Sequence, residues 1–225
     1  MEKKMHDFWN NRFLTEKEIW GIKHSKTAEL CLKFFSKYQI NSILIPGCGY
    51  GRNAKYFIDN KLKVEGVEIS EEAIKIAEAK GIFFKIYQGS ILEMPFNDSI
   101  YDGIYCFNVL HLLLEKDRFS FIDKCFNQIK NNGLVYFAAF SEQDPSFGKG
   151  KEVEKNTFES RPGRPAHYFT DGDLRNHFDK YLILESGIIE DYENHGEEGH
   201  HTHLLRYIII QKKIIETADN SVLPI

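Results

Sequence analysis

A glycine-rich turn that follows a short apolar strand is the feature that most restricts how this chain can fold. The strand is predicted at residues 41–45, the turn reads Pro46-Gly-Cys-Gly-Tyr-Gly51, and a helix is predicted at residues 52–59. Glycines let a ligand approach the backbone closely, and the start of the helix adds N–H donors and a positive dipole end. Glu68 ends the next predicted strand, 19 residues after Gly49, where a carboxylate can accept both hydroxyls of a ribose. The pattern therefore indicates an adenosine-containing cofactor in an open α/β sheet.

Strands and helices alternate along most of the chain. Further strands are predicted at 63–69, 83–88, 100–107 and 134–140, with helices at 71–80 and 117–130 between them. This alternation indicates a parallel sheet with helices on both faces. Two last strands, at 182–189 and 204–211, are separated by about fourteen residues without a helical pattern, so we expect an antiparallel pair. The predicted fold is an α/β sheet of seven strands, mostly parallel with an antiparallel last strand.

The whole chain of 225 residues is predicted to form one domain, because this length buries a sizeable core. Residues 1–37 are helical in pattern. Trp9 and Trp20 within them are candidates to cover the cofactor, or simply to pack an aromatic helix face on the sheet. Residues 141–168 contain several prolines and glycines without a clear period. A connection of this length inside a compact domain is predicted to be a substrate loop or lid.

Charge and cysteine content limit the partners of this chain. The formal net charge is −4, which gives no general attraction for nucleic acid, so no nucleic-acid partner is predicted. The apolar runs are too short to span a bilayer and the first ten residues have no apolar signal core, so we expect a cytoplasmic protein without membrane contact. The four cysteines lack Cys-x-x-Cys spacing, which favours reduced thiols over a metal or redox site. No heptad or surface patch indicates an oligomeric state.

Two kinds of cofactor fit a glycine turn followed by an acidic strand end. A dinucleotide fingerprint reads Gly-x-Gly-x-x-Gly, with its third glycine packed inside the helix. Here the glycines are Gly47, Gly49 and Gly51, and the third place of the fingerprint falls on Arg52. An arginine cannot supply close contact between helix and strand, so the spacing argues against NAD or FAD. A dinucleotide-dependent oxidoreductase is the less favoured alternative.

Four stretches together resemble the class I S-adenosylmethionine-dependent methyltransferases. They are residues 43–54, which include the glycine turn, 66–74 around Glu68, 88–96, and 101–112. The resemblance covers roughly residues 38–212 and implies a Rossmann-like sheet with S-adenosylmethionine as the cofactor. A shorter resemblance, at residues 7–13 and 18–21, is to the subgroup of tellurite-resistance, thiopurine and halide/thiol methyltransferases. It implies methyl transfer by in-line displacement to a small-molecule acceptor, such as a thiol or an oxyanion.

The resemblance also implies which residues bind the cofactor. Glu68 would hold the ribose hydroxyls, Ile69 would pack on adenine, and the backbone of Phe107 would meet the methionine ammonium. The full implied set is Trp9, Trp20, Pro46, Gly47, Cys48, Gly49, Gly51, Arg52, Asn53, Glu68, Ile69, Gly89, Ser90, Ile91 and Phe107. Pro46 and Ser90 stand where the family usually has acidic residues, which suggests modest cofactor affinity.

Candidate acceptor-binding residues follow the later strands, whose carboxyl ends should meet at the same edge of the sheet. His111, just past the fourth strand, could be a general base, since histidine titrates near neutral pH, or could merely pack. Arg161, Arg164, His167 and Tyr168 suit an anionic acceptor, or form a solvated basic loop. His200 is assigned to the same wall.

A histidine-rich segment, His195-Gly-Glu-Glu-Gly-His-His-Thr-His203, links the last two strands. His201 and His203 alternate onto one strand face and, with His195 or Glu197, could bind a divalent metal. Polar surface is the plainer interpretation, because ligand spacing alone is weak evidence, and no resident metal is predicted.

Three other functions stay open at the level of sequence besides the oxidoreductase. One is a non-catalytic or regulatory protein that binds S-adenosylmethionine, because these methyltransferases need no single diagnostic catalytic residue. The others are methyltransferases for protein or for RNA. Residues 106–109 read Cys-Phe-Asn-Val, which lacks the Pro-Pro signature for amino groups on adenine or glutamine, so base methylation is disfavoured.

Overall fold

The computed structural model describes residues 2–161, 163–194 and 200–214 of the chain. The helices are α1 (Glu2–Glu16), α2 (Lys26–Lys37), α3 (Arg52–Asp59), α4 (Glu71–Ala79), α5 (Glu115–Asn127) and α6 (Asp171–Asn176). The first strands are β1 (Ser42–Pro46), β2 (Lys63–Glu68), β3 (Lys85–Gln88), β4 (Tyr101–Phe107) and β5 (Ile129–Phe140). They are followed by β6 (Lys151–Glu154), β7 (Thr157–Arg161), β8 (Arg164–His167), β9 (Tyr181–Asn194) and β10 (His200–Ile214).

The main sheet has seven strands in the order β3-β2-β1-β4-β5-β10-β9. Strands β1 to β5 pair in parallel, whereas β10 runs antiparallel to both of its neighbours, β5 and β9. This confirms the predicted Rossmann-like sheet with its antiparallel last strand. The final pair is longer than predicted, since β9 begins at Tyr181 and β10 continues to Ile214.

The two faces of the sheet are covered by different sets of side chains. Leu44 of β1 packs with Ile104 and Phe137 in one buried cluster, whereas its neighbour Ile43 packs with Tyr105 in another. Successive side chains of a strand point to opposite faces, so one run of apolar residues supplies both layers. The middle parts of the central strands, such as residues 43–45 of β1 and 134–140 of β5, are apolar because helices cover both faces of a parallel sheet.

Serine caps set the start of two helices. The Ser25 hydroxyl accepts the N–H of Thr27 at the start of α2, and the Ser70 hydroxyl accepts the N–H of Ala73 at the start of α4. The predicted cap at Ser70 is confirmed. The Asn10 side chain of α1 accepts from the Ser70 hydroxyl at 3.0 Å, so α1 is held against the start of α4. This contact places the first helix beside the carboxyl ends of β1 and β2.

The transition from α5 to β5 corrects the prediction. The helix expected to continue to residue 130 ends at Asn127, and β5 begins at Ile129 instead of residue 134. Tyr101 pairs with Ile129 but Gly103 pairs with Leu134, so residues 130–133 bulge out of the ladder. Asn132 has a positive φ of 63°, which asparagine tolerates and a helix does not.

The segment at residues 141–168, predicted to be a substrate loop or lid, contains three short strands. Strands β6, β7 and β8 form a separate antiparallel sheet in that order, with Phe158 opposite Ala166. The N–H of Phe169 donates to the carbonyl of Phe140 at 2.8 Å, which fixes the end of this small sheet to the end of β5. The segment expected to be loop is therefore a wall anchored to the main sheet. Within the described ranges, no helix has the length and apolar character to cross a lipid bilayer.

Candidate active site

The glycine turn holds three left-handed glycines at alternate positions. Gly47, Gly49 and Gly51 have φ values of 66°, 55° and 81°. A Cβ on Gly47 would overlap the side chain of Val109, and one on Gly51 would lie 3.1 Å from Ile82 and Phe84. The N–H groups of Gly47 and Cys48 both donate to the carbonyl of Val67, at 2.8 and 3.1 Å. The turn is thus fixed to β2 in a conformation that residues other than glycine rarely adopt.

Glu68 connects the end of β2 to this turn. Its Oε2 accepts the Gly49 N–H at 2.8 Å and its Oε1 accepts the Ser70 N–H at 2.9 Å. Burial raises the pKa of Glu68, and the backbone N–H donors counter this only in part. The carboxylate is 5% exposed and lines a cavity at the carboxyl ends of β1, β2 and β4.

This cavity has a volume of about 540 Å³. It collects most of the residues that the resemblance assigned to the cofactor, namely Trp9, Trp20, Gly47, Cys48, Gly49, Arg52, Asn53, Glu68, Ile69, Gly89, Ser90, Ile91 and Phe107. Pro46 and Gly51 are the exceptions. Pro46 is buried in the ladder opposite Val67, and Gly51 faces Ile82 and Phe84. Both residues pack on the side of the turn that faces the protein interior, and neither lines the cavity.

An aromatic cluster from the N-terminal segment forms one side of the cavity. The Trp20 ring stacks on Tyr50, with centroids 6.3 Å apart, and Trp9 lies 6.1 Å from Trp20. The Tyr50 hydroxyl donates to the Gly21 carbonyl at 2.6 Å and accepts the backbone N–H of Trp20 at 3.2 Å. Arg52 donates to the carbonyls of Trp20 and Lys23, both at 3.2 Å. Of the predicted cover at residues 1–37, the part before α2 contributes Trp9 and Trp20 to the cavity wall, whereas α2 packs on the sheet.

Arg12, Tyr50 and Asn108 also line the cavity and are among the residues that the sequence did not indicate. Arg12 is 8% exposed, and its guanidinium lies 5.8 and 5.7 Å from the rings of Trp9 and Trp20. Its position three residues after Trp9 on a helix was the available signal. Asn108 lines the cavity with a φ of 55°, and its buried Oδ1 has no partner among the residues described. A polar residue directly after a strand was the signal for Asn108.

The other end of the cavity is formed by residues from the later strands and the small sheet. His111, Arg161, Arg164, Tyr168, His201 and His203 line it. His167 does not, because its ring is buried between the Thr157 hydroxyl at 2.8 Å and the Asp173 carboxylate at 2.6 Å. The sequence grouped His167 with the basic residues of the segment, but its side chain points to α6. His195, Glu197 and the side chain of His200 lie outside the described part of the chain.

His111 is enclosed at this end. It is 2% exposed and its ring stacks on Phe140, with centroids 4.1 Å apart. Its Nδ1 has no hydrogen-bond partner among the residues described. Burial lowers the pKa of His111 well below its ordinary value, and the positive charges of Arg164 and His203 lower it further. The imidazole is therefore neutral at neutral pH and is a weaker base than an exposed histidine.

Arg164 approaches the N-terminal helix across the cavity. Its guanidinium carbon lies 5.6 Å from the ring of Phe8 and 5.5 Å from that of Trp9. Burial, followed by repulsion from Arg12 and Arg161, lowers the pKa of Arg164 to about 10. The side chain stays charged at neutral pH, so this end of the cavity is cationic.

His203 is oriented by an acidic partner. Its Nδ1 lies 2.9 Å from Asp144, and hydrogen bonds from His203 and Ser146 lower the pKa of Asp144 although burial opposes them. In the portions of the chain that are described, no three His, Cys, Asp or Glu side chains are grouped as metal ligands. A site that includes His195 or Glu197 falls outside those portions.

The residues at the turn fit an adenosine cofactor that carries a cationic methionine end. The glycine turn leaves room at the backbone that a Cβ would fill. Glu68 supplies a buried acceptor at the strand end, and the unpartnered Asn108 Oδ1 supplies another close to Phe107. The aromatic wall suits a sulfonium, since cations lie favourably against aromatic faces.

Comparison with known proteins points to the same family. Residues 44–137 match the family model described as a methyltransferase domain. The chain is 26% identical over 202 residues to the tRNA N(3)-methylcytidine methyltransferase Mettl2 of Drosophila melanogaster, covering 83% of this chain and 61% of that protein. It is 28% identical over 106 residues to the thiopurine S-methyltransferase of Francisella tularensis subsp. novicida, covering 42% and 46%. The chain thus spans about half to three fifths of the length of these relatives.

A solved structure shares the fold. Magnesium protoporphyrin IX methyltransferase from Synechocystis PCC 6803, with bound S-adenosylmethionine, superposes with a TM-score of 0.67 at 12% identity, over 94% of this chain and 96% of that one. The family match favours a methyltransferase over the dinucleotide-dependent oxidoreductase. Residues 44–137 thus match a methyltransferase domain, and in its glycine turn, its sheet order and these matches the chain is similar to the class I S-adenosylmethionine-dependent methyltransferases.

Proposed function

We propose that the protein transfers a methyl group from S-adenosylmethionine to a small-molecule acceptor, such as a thiol or an oxyanion. The observation that carries this proposal is the shape of the cavity. Its glycine-turn end and its cationic end share one cavity of about 540 Å³ between α1 and the small sheet. That volume lies in the range of small-molecule sites in proteins.

The glycine-turn end is assigned to the cofactor. Glu68 binds the ribose hydroxyls, since its carboxylate is already aimed along the turn by the N–H groups of Gly49 and Ser70. Ile69 packs on the adenine, and Ser90 and Ile91 lie at the adenine edge. Gly47 and Gly49 accommodate the methionine portion, whose ammonium lies by the backbone of Phe107 and the Asn108 side chain. The aromatic cluster of Trp9 and Trp20 closes this end.

The chemistry needs alignment more than a special catalytic group. When bound, S-adenosylmethionine supplies a methyl group on a positively charged sulfur, which an acceptor attacks in line. The protein holds the acceptor on the opposite side of that methyl and excludes water from the path. Trp9, Phe107 and Phe140 line the cavity and provide its dry walls.

His111 is the candidate general base for acceptors that carry a proton. Its ring is neutral and lines the cavity next to Phe140. A thiolate or another anion would not need proton removal, so His111 is required only for protonated acceptors. Its loss should therefore slow transfer to protonated acceptors and leave transfer to anionic acceptors unchanged.

Methylation of a tRNA base is a second candidate, because the Mettl2 relative, which covers 83% of this chain, is named for that activity. The thiopurine methyltransferase relative and the formal net charge of −4 favour the small molecule. RNA bound to this chain would need a local basic surface. Arg161 and Lys149 at the cavity entrance are the residues that would supply it.

Calorimetric titration with S-adenosylmethionine, S-adenosylhomocysteine and NAD tests the cofactor. We expect saturable binding of the first two and none of NAD. Methyl transfer from labelled cofactor to a panel of thiols, oxyanions and unmodified tRNA then tests the acceptor. Label in a small molecule supports the proposal, and label in tRNA alone overturns it in favour of the second candidate. Cofactor binding without transfer to any acceptor would favour a non-catalytic protein that binds S-adenosylmethionine.

A further inference from the structure

We infer that the methyl acceptor is a small molecule that carries a carboxylate, and that this carboxylate binds the guanidinium of Arg164 at the cationic end of the cavity. This inference rests on the proposed function, since it names the chemical class of the acceptor. It is carried by the surroundings of Arg164, a partly buried charged side chain that lines the cavity.

Arg164 lacks an ionic partner within the described part of the chain. Among residues 2–161, 163–194 and 200–214, no side chain or carbonyl forms a hydrogen bond or an ion pair with its guanidinium, and its buried Nε is without any acceptor. The rings of Phe8 and Trp9, 5.6 and 5.5 Å from the guanidinium carbon, hold it in place without neutralising it. Arg164 is partly buried, and a partly buried charge in a protein is normally paired, because it loses part of its hydration. The missing partner is therefore expected to come from a ligand.

Neighbouring positive charges also favour the binding of an anion near Arg164. Arg12 is 8% exposed in the same wall, and the acidic group that it contacts is Glu16, 3.2 Å from its Nε. Both Arg12 and Arg161 repel Arg164. Asp144, the acidic group beside His203, already accepts from the His203 ring and from the N–H of Leu204. The local carboxylates are thus engaged elsewhere, while the guanidinium of Arg164 faces a cavity that a ligand can enter.

A carboxylate fits this place better than a spherical anion. A guanidinium is planar and can donate two parallel hydrogen bonds to the two oxygens of a carboxylate. The ring of His111, which packs flat on Phe140, lines the same cavity as Arg164. Arg164 would thereby select the acceptor by charge and shape and orient it relative to the glycine turn.

Both tryptophans of the chain, Trp9 and Trp20, line this cavity, so intrinsic fluorescence reports on its occupation. We would titrate the full chain, with saturating S-adenosylhomocysteine, with acetate, succinate and benzoate, each compared with its uncharged amide. We expect at least one carboxylate to bind at least tenfold more tightly than its amide. Arg164→Gln should lower the affinity for that carboxylate at least tenfold and leave the amide unchanged. Arg164→Lys, which keeps the charge but not the planar fork, should fall between the two.

Controls separate the possible failures. Arg175→Gln removes an exposed arginine that pairs with Asp171 outside the cavity, and it should bind like the unaltered protein. Thermal melting verifies that each variant is folded, and calorimetry with S-adenosylhomocysteine verifies the cofactor end. The inference would be overturned by equal affinity for carboxylates and amides, by no binding of any carboxylate, or by an unaltered preference in Arg164→Gln. In each of these cases, intact cofactor binding would leave the proposed function standing. Failure to bind the cofactor would instead reject the proposed function, and the same titration without cofactor would still test the carboxylate site.

Discussion

The Oε2 atom of Glu68 accepts the backbone N–H of Gly49 at 2.8 Å, which joins the end of β2 to the glycine turn by a hydrogen bond. The other carboxylate oxygen accepts from Ser70, whose hydroxyl caps α4 and donates to Asn10 of α1. One buried carboxylate thus stands between the turn and the helix that covers the cavity. Substitutions of Glu68 are therefore expected to weaken the binding of the cofactor.

Glu68→Gln should weaken cofactor binding. The amide keeps the size of the side chain but replaces one acceptor oxygen with an N–H₂ group, which then faces a backbone N–H. We expect the Kd for S-adenosylhomocysteine to rise at least tenfold, a loss of about 1.4 kcal/mol or more, measured by calorimetry. Glu78→Gln, at an exposed position of α4, is the control and should bind normally. Unchanged affinity in Glu68→Gln would remove this carboxylate from the cofactor site.

Gly47→Ala should destabilise the protein more than Gly81→Ala. The two glycines have nearly the same φ, 66° and 68°, so the backbone strain of a left-handed alanine, about 1 kcal/mol, is common to both. A Cβ on Gly47 would also overlap Val109, whereas the nearest atom to one on Gly81 is 3.8 Å away. We expect an additional loss of about 1–3 kcal/mol in the free energy of unfolding for Gly47→Ala. Urea denaturation measures the difference, and equal losses would contradict the overlap.

Tyr50→Phe should loosen the aromatic wall. The lost hydroxyl leaves the Gly21 carbonyl and the Trp20 N–H without this partner, which should cost about 1–3 kcal/mol of stability. Because Trp20 stacks on Tyr50, its fluorescence should shift to longer wavelength as the wall opens. Tyr192→Phe, at a side chain that is 59% exposed, is the matched control and should change neither quantity. A spectrum and stability equal to those of the unaltered protein would contradict the role of the hydroxyl.

His111 should make stability depend on pH. Burial, Arg164 and His203 lower the pKa of its ring in the folded protein, so only the unfolded chain takes up a proton near pH 6.5. The stability that neutral His111 contributes is therefore present above that pH and is lost as the pH falls. Relative to His111→Phe, which keeps the ring stacked on Phe140, the protein should lose up to about 1.4 kcal/mol per pH unit below pH 6.5. Unfolding free energies that stay parallel between pH 7 and pH 5 would contradict this.

His167→Gln should reduce stability without affecting carboxylate binding. The ring connects Thr157 of β7 to Asp173 of α6, and Asp173 is partly exposed, so we expect a loss of about 1–3 kcal/mol. Thermal melting measures this loss. The fluorescence titration with carboxylates should match that of the unaltered protein, in contrast to Arg164→Gln. Weaker carboxylate binding at unchanged stability would instead indicate that His167 takes part in binding the acceptor.

Much of the fold could be predicted from the sequence, because its signals are local. The apolar strands, the glycine turn and the cap at Ser70 each depend on a few neighbouring residues. The small sheet of β6 to β8 could not, because its strands are short and β6 exposes most of its side chains, so no alternation of apolar residues indicates it. Its order comes from pairing across the chain and from attachment to Phe140.

The same distinction applies to the cavity. The glycine turn and Glu68 were predicted from spacing, since they are close in sequence and their roles depend on backbone geometry. Arg12 and Tyr50 were missed because nothing local reveals which face of α1 meets the turn. His167 and Arg164 are three residues apart, yet one faces α6 and the other faces α1. Alternation along a strand separates them, and sequence alone did not indicate which side was the cavity.

The position of β10 between β5 and β9 has a consequence for synthesis on the ribosome. Residues 134–140 of β5 are buried, and one edge of this strand has no partner until β10 has been made. Strand β9 pairs with β10 alone, so it too must wait. A nascent chain that has emerged only to about residue 194 therefore presents an apolar, unpaired edge, which is the kind of surface that chaperones bind and that aggregates. Closure of the sheet is expected to be a late, nearly all-or-none event that follows translation of the last strand.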